Sequence, residues 1–291
     1  MLTLKNDFLT VKINPFGAEL TSVQDNESHL EYMWQADKTY WGRHAPILFP
    51  IVGRLQDNQY RLDGKTYHMT QHGFARDREF TVVEQAEDHV VLRLTADDQT
   101  KELFPSDFSL TVQYTLVAHQ LSFAATVDNP ADTPLTFSLG AHPGFNVPLG
   151  DPTADFTDYQ VTVSPKQVYQ RVPLVGPYSD TQHSVPMDLT KPMALDHDLF
   201  DHDAKVLTLN NQETTLMLSS HVNDHGVALT LAAPYVGIWS PYPKQAPFVC
   251  FEPWWGLADD VQATGDLETK VAIHHLAAHA SFQAAYQITY F

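Results

Sequence analysis

One cysteine, Cys250, stands among 291 residues. That scarcity excludes an internal disulfide framework and a cysteine-built zinc cluster. Basic residues are few as well: 17 Lys plus Arg against 35 Asp plus Glu leave a formal net charge of −18. So acidic a surface repels nucleic acid and anionic membrane over most of its area, and neither is expected as a partner. Long apolar runs are missing too. Residues 45–52 come nearest, but they hold Pro46 and Pro50 and fall far short of the ~20 residues a membrane helix needs. The opening MLTLKNDF has no basic segment followed by an apolar run, so no secretory signal is expected and a cytoplasmic location is. The Asn26-Glu27-Ser28 sequon is then a chance match.

Core material is not scarce. Hydrophobic residues make up 43% of the chain and aromatics 11%, which excludes wholesale disorder. The dominant period is two. Leu110, Val112, Tyr114 and Leu116 alternate with Thr111, Gln113 and Thr115; Leu121, Phe123, Ala125 and Val127 repeat the pattern after a short connection. Such alternation buries one face of a strand, and the two runs are expected to pair antiparallel. Similar runs fall at residues 9–13, 80–83, 90–94, 161–163, 205–209, 227–231, 248–251 and 282–290. Helical signals are sparse; Asp98–Leu103 is expected to form a turn or two, stopped by Pro105. Many short strands punctuated by 19 prolines and 13 glycines point to an all-β sandwich or barrel. No linker, repeat or low-complexity tract divides the chain, so one domain over residues 1–291 is expected. Residues 148–195, weakly patterned and rich in Pro and Asp, are expected to wander over the surface.

Fifteen histidines raise the question of metal. His275 and His279 have the i, i+4 spacing of a zinc helix, with His274 alongside, but no Glu occupies the base position between them and a strand follows. His197 and His202 lie among Asp196, Asp198, Asp201 and Asp203, the composition of a solvated acidic turn rather than of an oxygen-rich cation site. No metal is expected. Cys250 shares a strand face with Glu252, a neighbour that disfavours the thiolate, so it is expected to be a buried filler. No G-x-S-x-G elbow and no P-loop occurs.

Three dense segments remain: residues 41–54 followed by Gln71-His72-Gly73-Phe74-Ala75-Arg76; Gly140-Ala141-His142-Pro143-Gly144-Phe145; and Phe251-Glu252-Pro253-Trp254-Trp255-Gly256. Each sets ionisable residues beside Gly, Pro and aromatics. Together they supply imidazoles, a carboxylate and arginines, with tryptophans able to stack on the C–H face of a sugar ring. These blocks resemble the signatures of the aldose 1-epimerase (galactose mutarotase-like) family, and of its bacterial LacX-like branch, in their expected order and over essentially the whole chain.

The resemblance implies a large antiparallel β-sandwich and an enzyme that interconverts the α and β anomers of a hexose without a cofactor. By the same resemblance Glu252 is the base, His142 the general acid and His72 the group that polarises the ring-oxygen region. Arg54, Arg76, Asp198 (Asp203 next) and Trp254 are the substrate-binding candidates. The blocks depart from those of the better-known galactose mutarotases. Met69-Thr70-Gln71-His72-Gly73-Phe74 stands where they have Asn-His-Leu-His-Gly-Gly, and Ala141-His142-Pro143 where they have Asn-His-Ser. Catalytic roles therefore transfer better than substrate identity. Residues 43–78 hold six basic and three acidic residues, a net of +3, which keeps open a phosphorylated hexose bound by Arg54 and Arg76. A non-catalytic carbohydrate-binding protein is the other alternative. The partner expected is a small sugar, the chain a monomer or homodimer.

Overall fold

A computed structural model describes residues 1–291. Two large sheets dominate it. One has nine strands, in the order Met193–Ala194, Tyr159–Ser164, Thr214–Ser220, Val227–Leu231, Ser281–Tyr290, Gln120–Asp128, Ser109–Val117, His89–Thr95 and Thr81–Gln85. The other has eight. Its path is Val185–Asp188, Val168–Val172, Lys205–Thr208, Tyr235–Trp239, Phe248–Trp255, Leu139–Ala141 and Ile47–Leu48, with Gly144–Asn146 also paired to Phe248–Trp255. Neighbouring strands pair antiparallel. A three-stranded sheet of Leu2–Lys5, Leu9–Asn14 and Glu19–Asp25 precedes them.

The alternation seen in the sequence is what closes this sandwich. Ser109–Val117 and Gln120–Asp128 form the expected hairpin, with Leu121 opposite Leu116 and Phe123 opposite Tyr114. Phe123 also stacks on Tyr286 of Ser281–Tyr290, with ring centroids 4.6 Å apart. Every second side chain thus lands in a cluster of 67 buried hydrophobic residues that draws on both sheets. Asp98–Leu103 is a short helix whose start is fixed by Asp97: its carboxylate accepts from Thr100 N at 2.7 Å while Thr100 Oγ1 accepts from Asp97 N at 2.8 Å.

Residues 148–195 correct the expectation. Tyr159–Ser164 lies inside the nine-stranded sheet with Tyr159, Val161 and Val163 buried, while Val168–Val172 and Val185–Asp188 extend the other sheet. Each strand there offers at most three alternating apolar positions between turns rich in Pro and Asp. Sheet pairing, not local pattern, makes them strands.

Candidate active site

Strand Phe248–Trp255 sorts its side chains by parity. Val249, Phe251 and Trp255 join the main core, while Phe248, Cys250 and Trp254 join two smaller clusters. A period of two puts Glu252 with the second set, on the other face of the sheet. Its neighbour on one side is Gly237, where a Cβ would stand 3.3 Å from Glu252 Cβ, so a residue without a side chain leaves room for the carboxylate. On the other side two paired stretches share one register: Leu139 and Gly140 face Trp255 and Trp254, and Gly144–Asn146 face Cys250, Val249 and Phe248. Counting along that register puts His142 across from Glu252, in the gap between the stretches. His142 Nε2 lies 3.0 Å from Glu252 Oε2, and both residues are buried.

His72 reaches the same place from the loop that follows residues 65–68. Its backbone N–H donates to Gly53 O at 2.8 Å, and Gly53 N donates to His72 Nδ1 at 3.1 Å. A backbone N–H can only donate, so Nδ1 is the unprotonated nitrogen and Nε2 carries the ring proton. Burial, with His142, Arg76, Arg43 and Arg54 nearby, holds the His72 pKa well below 6.5, so the ring is neutral at pH 7. Gly53 has φ +72°, and a Cβ there would meet Ala258 Cα at 2.5 Å; glycine lets these loops touch. They are pinned from behind by a buried ion pair, Lys270 Nζ to Asp259 Oδ1 at 3.2 Å, with Asp259 N donating to Arg54 O at 2.9 Å.

His72, His142 and Glu252 line one cavity of about 610 Å³, a volume within the usual range of small-molecule sites. Arg76 and Trp254 line it as well. Burial and Arg43 push the Arg76 pKa down to about 10, which leaves it a cation at neutral pH. Its Nη2 donates to Gln71 O at 2.5 Å. Trp254 Nε1, His142 Nδ1 and Arg76 Nε are buried polar groups with no hydrogen-bond partner in the protein.

Two candidates lie elsewhere. Arg54 stands behind the wall, where its Nη2 donates to Gln71 Oε1 at 3.0 Å, and Gln71 rather than Arg54 lines the cavity. Asp198 is exposed in the turn His197–Phe200, its backbone N–H bound to Asp196 Oδ1. That turn leaves the Asp198 side chain exposed, and Asp201 and Asp203 from the following residues line the cavity instead. Trp41, Trp239 and Tyr242 complete its aromatic wall. The first dense segment contained Trp41, but nothing in the local pattern set Trp239 or Tyr242 apart.

The three histidines of residues 274–279 are occupied singly. His274 Nε2 is 3.1 Å from Trp255 O, His275 Nδ1 3.2 Å from Thr136 Oγ1 and His279 Nε2 2.9 Å from Asp132 Oδ1. His274–Leu276 is a strand, so the i, i+4 spacing does not fall on a helix. Cys250 is buried, and burial with Glu252 nearby pushes its thiol pKa well up.

A family profile described as aldose 1-epimerase matches residues 1–264. The chain belongs to the aldose 1-epimerase family. Membership places it among sugar epimerases and mutarotases, isomerase-type enzymes with a small sugar as partner. It is 32% identical to the chromosomal protein LacX of Lactococcus lactis subsp. lactis, over 99% of this chain and 98% of that one. A galactose mutarotase related enzyme from Lactobacillus acidophilus superposes with a TM-score of 0.97 at 38% identity, covering 99% of this chain and 96% of that one. A galactose mutarotase-like protein from Lactobacillus casei superposes at 0.91 with 35% identity, covering all of both chains. No helix of the chain is long and apolar enough to cross a membrane.

Proposed function

We propose that the protein interconverts the α and β anomers of an unphosphorylated hexose. What supports this reading most is the meeting of His142 Nε2 and Glu252 Oε2, 3.0 Å apart on the wall of a cavity that His72 also lines. Glu252 removes the proton from the anomeric hydroxyl while His142 protonates the ring oxygen. The C1–O5 bond breaks, C1=O1 forms, and rotation about C1–C2 followed by the reverse proton transfers closes the other anomer. Nothing is oxidised and no group leaves, so the reaction as written consumes no cofactor. On binding sugar, the two residues exchange their mutual hydrogen bond for bonds to O1 and O5. His72, neutral with its proton on Nε2, serves as a hydrogen-bond donor to the ring-oxygen region rather than as a base. Each positioned proton-transfer group is worth on the order of 10²–10⁴ in rate.

Charge favours a neutral substrate. Of the basic stretch, Arg76 alone lines the cavity, and Asp201, Asp203 and Glu252 line it too. Arg43 is bound to Asp77 at 2.7 Å and Arg61 to Thr264 O at 2.9 Å. A phosphate would meet more carboxylates than guanidinium groups. The same reading includes one catalytic domain over residues 1–291, working in the cytoplasm as a monomer or homodimer, with Trp254 as a stacking wall. The test is polarimetry of freshly dissolved α-glucose and α-galactose, with glucose 6-phosphate alongside. Acceleration of the free sugars supports the proposal, and no acceleration of any sugar overturns it.

A further inference from the structure

His72 and His142 are held in place by different means. The His72 ring is fixed by Gly53 N–H on Nδ1. His142 has no such clamp: Nδ1 is buried without a partner, and the one polar contact of the ring is the Glu252 carboxylate. That contact is the one a substrate must replace. The torsion that turns an imidazole about Cβ–Cγ is broad, so hydrogen bonding alone would leave the ring free to swing once Glu252 lets go.

Aromatic packing supplies the missing constraint. Trp41 lies nearly parallel to the His142 ring, 29° between planes and 4.7 Å between centroids. Trp239 and His72 stand almost perpendicular to it, at 5.4 and 5.6 Å. Trp41 is anchored in turn. Its C=O accepts from Trp34 Nε1 at 2.9 Å, its N–H donates to Asp37 O at 2.9 Å, and its ring lies at 19° to Phe248, on which Trp34 also stacks at 4.4 Å. Phe248 sits four residues before Glu252 on the same strand and the same face. The near-parallel rings Trp34, Phe248, Trp41 and His142 thus tie the imidazole to the strand that carries the carboxylate.

We propose that Trp41 is the positioning residue of the reaction: its indole holds the His142 ring plane while Glu252 exchanges His142 for substrate. The inference rests on the acid–base reading above, and it adds a residue that touches His142 rather than the reacting atoms. A sugar platform and an orienting stack make different demands. A platform loses affinity when removed. An orienting group loses turnover, because a misplacement of about 1 Å can cost on the order of 10²-fold in rate.

The experiment compares wild type, Trp41→Leu and Trp41→Phe by anomer-exchange kinetics, thermal unfolding and histidine ring NMR on the ligand-free protein. The His142 signals are assigned by their loss in His142→Asn. Trp41→Leu is expected to lose about 10- to 100-fold in kcat with KM nearly unchanged, and its His142 Hε1 signal to move downfield as the indole ring current is lost. Trp41→Phe, which keeps a stacking face, is expected to regain most of the turnover. A rise in KM alone, or a lowered Tm with unchanged kcat, overturns the proposal, as does an unmoved Hε1 signal. Should the wild type accelerate no sugar, the epimerase reading fails by itself. The NMR comparison then judges the ring-holding claim separately: NOE contacts of the His142 ring with Trp239 and His72 that weaken in Trp41→Leu and return in Trp41→Phe uphold it, and contacts unchanged in both variants overturn it.

Discussion

Replacing Glu252 by Gln removes the proposed base while disturbing little else. The side chains are nearly isosteric, and Glu252 is 1% exposed in a strand buried along its whole length, so packing is conserved. The amide oxygen can still accept from His142 Nε2, 3.0 Å away from the carboxylate oxygen it replaces. The cost to stability is therefore one hydrogen bond weakened from charged to neutral, about 1 kcal/mol. For a chain of this size that lowers Tm by a few degrees. Turnover is affected far more. An amide takes up no proton from the anomeric hydroxyl, and a positioned base is worth about 10²–10⁴ in rate, or roughly 2.7–5.4 kcal/mol of barrier. Polarimetry after subtraction of the spontaneous rate gives kcat, and calorimetric titration with galactose gives affinity. The expected result is a kcat lowered at least a hundredfold with affinity within a few fold of wild type. A variant that turns over within tenfold of wild type refutes the assignment of Glu252 as base.

His142→Asn is expected to lower kcat by about 10²-fold or more and to leave KM nearly alone, since an acid acts in the transition state; unchanged turnover removes it from the chemistry. Arg76→Ala is expected to raise KM for free hexose, with glucose 6-phosphate a poor ligand of both proteins. If wild type saturates with the phosphate at lower concentration than with glucose and the variant does not, Arg76 is a phosphate anchor and the substrate assignment is wrong. His72 makes a prediction about pH. Its folded pKa is depressed below the unfolded value of 6.5, so in the window between the two the unfolded chain holds a proton the native state lacks. Stability from this group is complete above pH 6.5 and is lost as pH falls, by about 1.4 kcal/mol per unit, until the folded pKa is reached. Urea unfolding of wild type and His72→Asn between about pH 7 and pH 5 should therefore converge toward acid, the variant having the flatter profile. Parallel profiles would show that His72 is not held neutral.

The sandwich was legible because long strands state their own register. Ser109–Val117, Gln120–Asp128 and Ser281–Tyr290 alternate over nine or ten residues, and every second position is buried except Phe282, which is half-buried. Met193–Ala194 and Ile47–Leu48 are two-residue strands, below any periodic signal, and exist only because a neighbour supplies their partners. The site divided along similar lines. Glu252, His142, His72, Arg76 and Trp254 lie in compact blocks whose order could be compared with a family, and all five line the cavity. Arg54 was one step off, because a side chain behind a wall and one in it have the same local sequence; only the bond to Gln71 separates them. Asp198 failed for a related reason. A cluster of aspartates around a turn gives no sign of which residues line the cavity, and here Asp201 and Asp203 do while Asp198 does not.

The means of support suggest where the site can vary. Glu252 is positioned by sheet register opposite Gly237, and His72 by a backbone donor from Gly53. Backbone geometry of this kind survives most side-chain substitutions, so these two candidate site residues sit on the least alterable part of the molecule. The outer wall is different. Gly176, Pro177, Asp201, His202, Asp203 and Tyr242 lie in connections between strands, where exposure lets residues change at little cost to the core. In the proposed reaction O1 and O5 meet the sheet, and a hydroxyl remote from C1 meets those loops. Substrate choice can therefore shift by replacing loop residues with the chemistry unchanged.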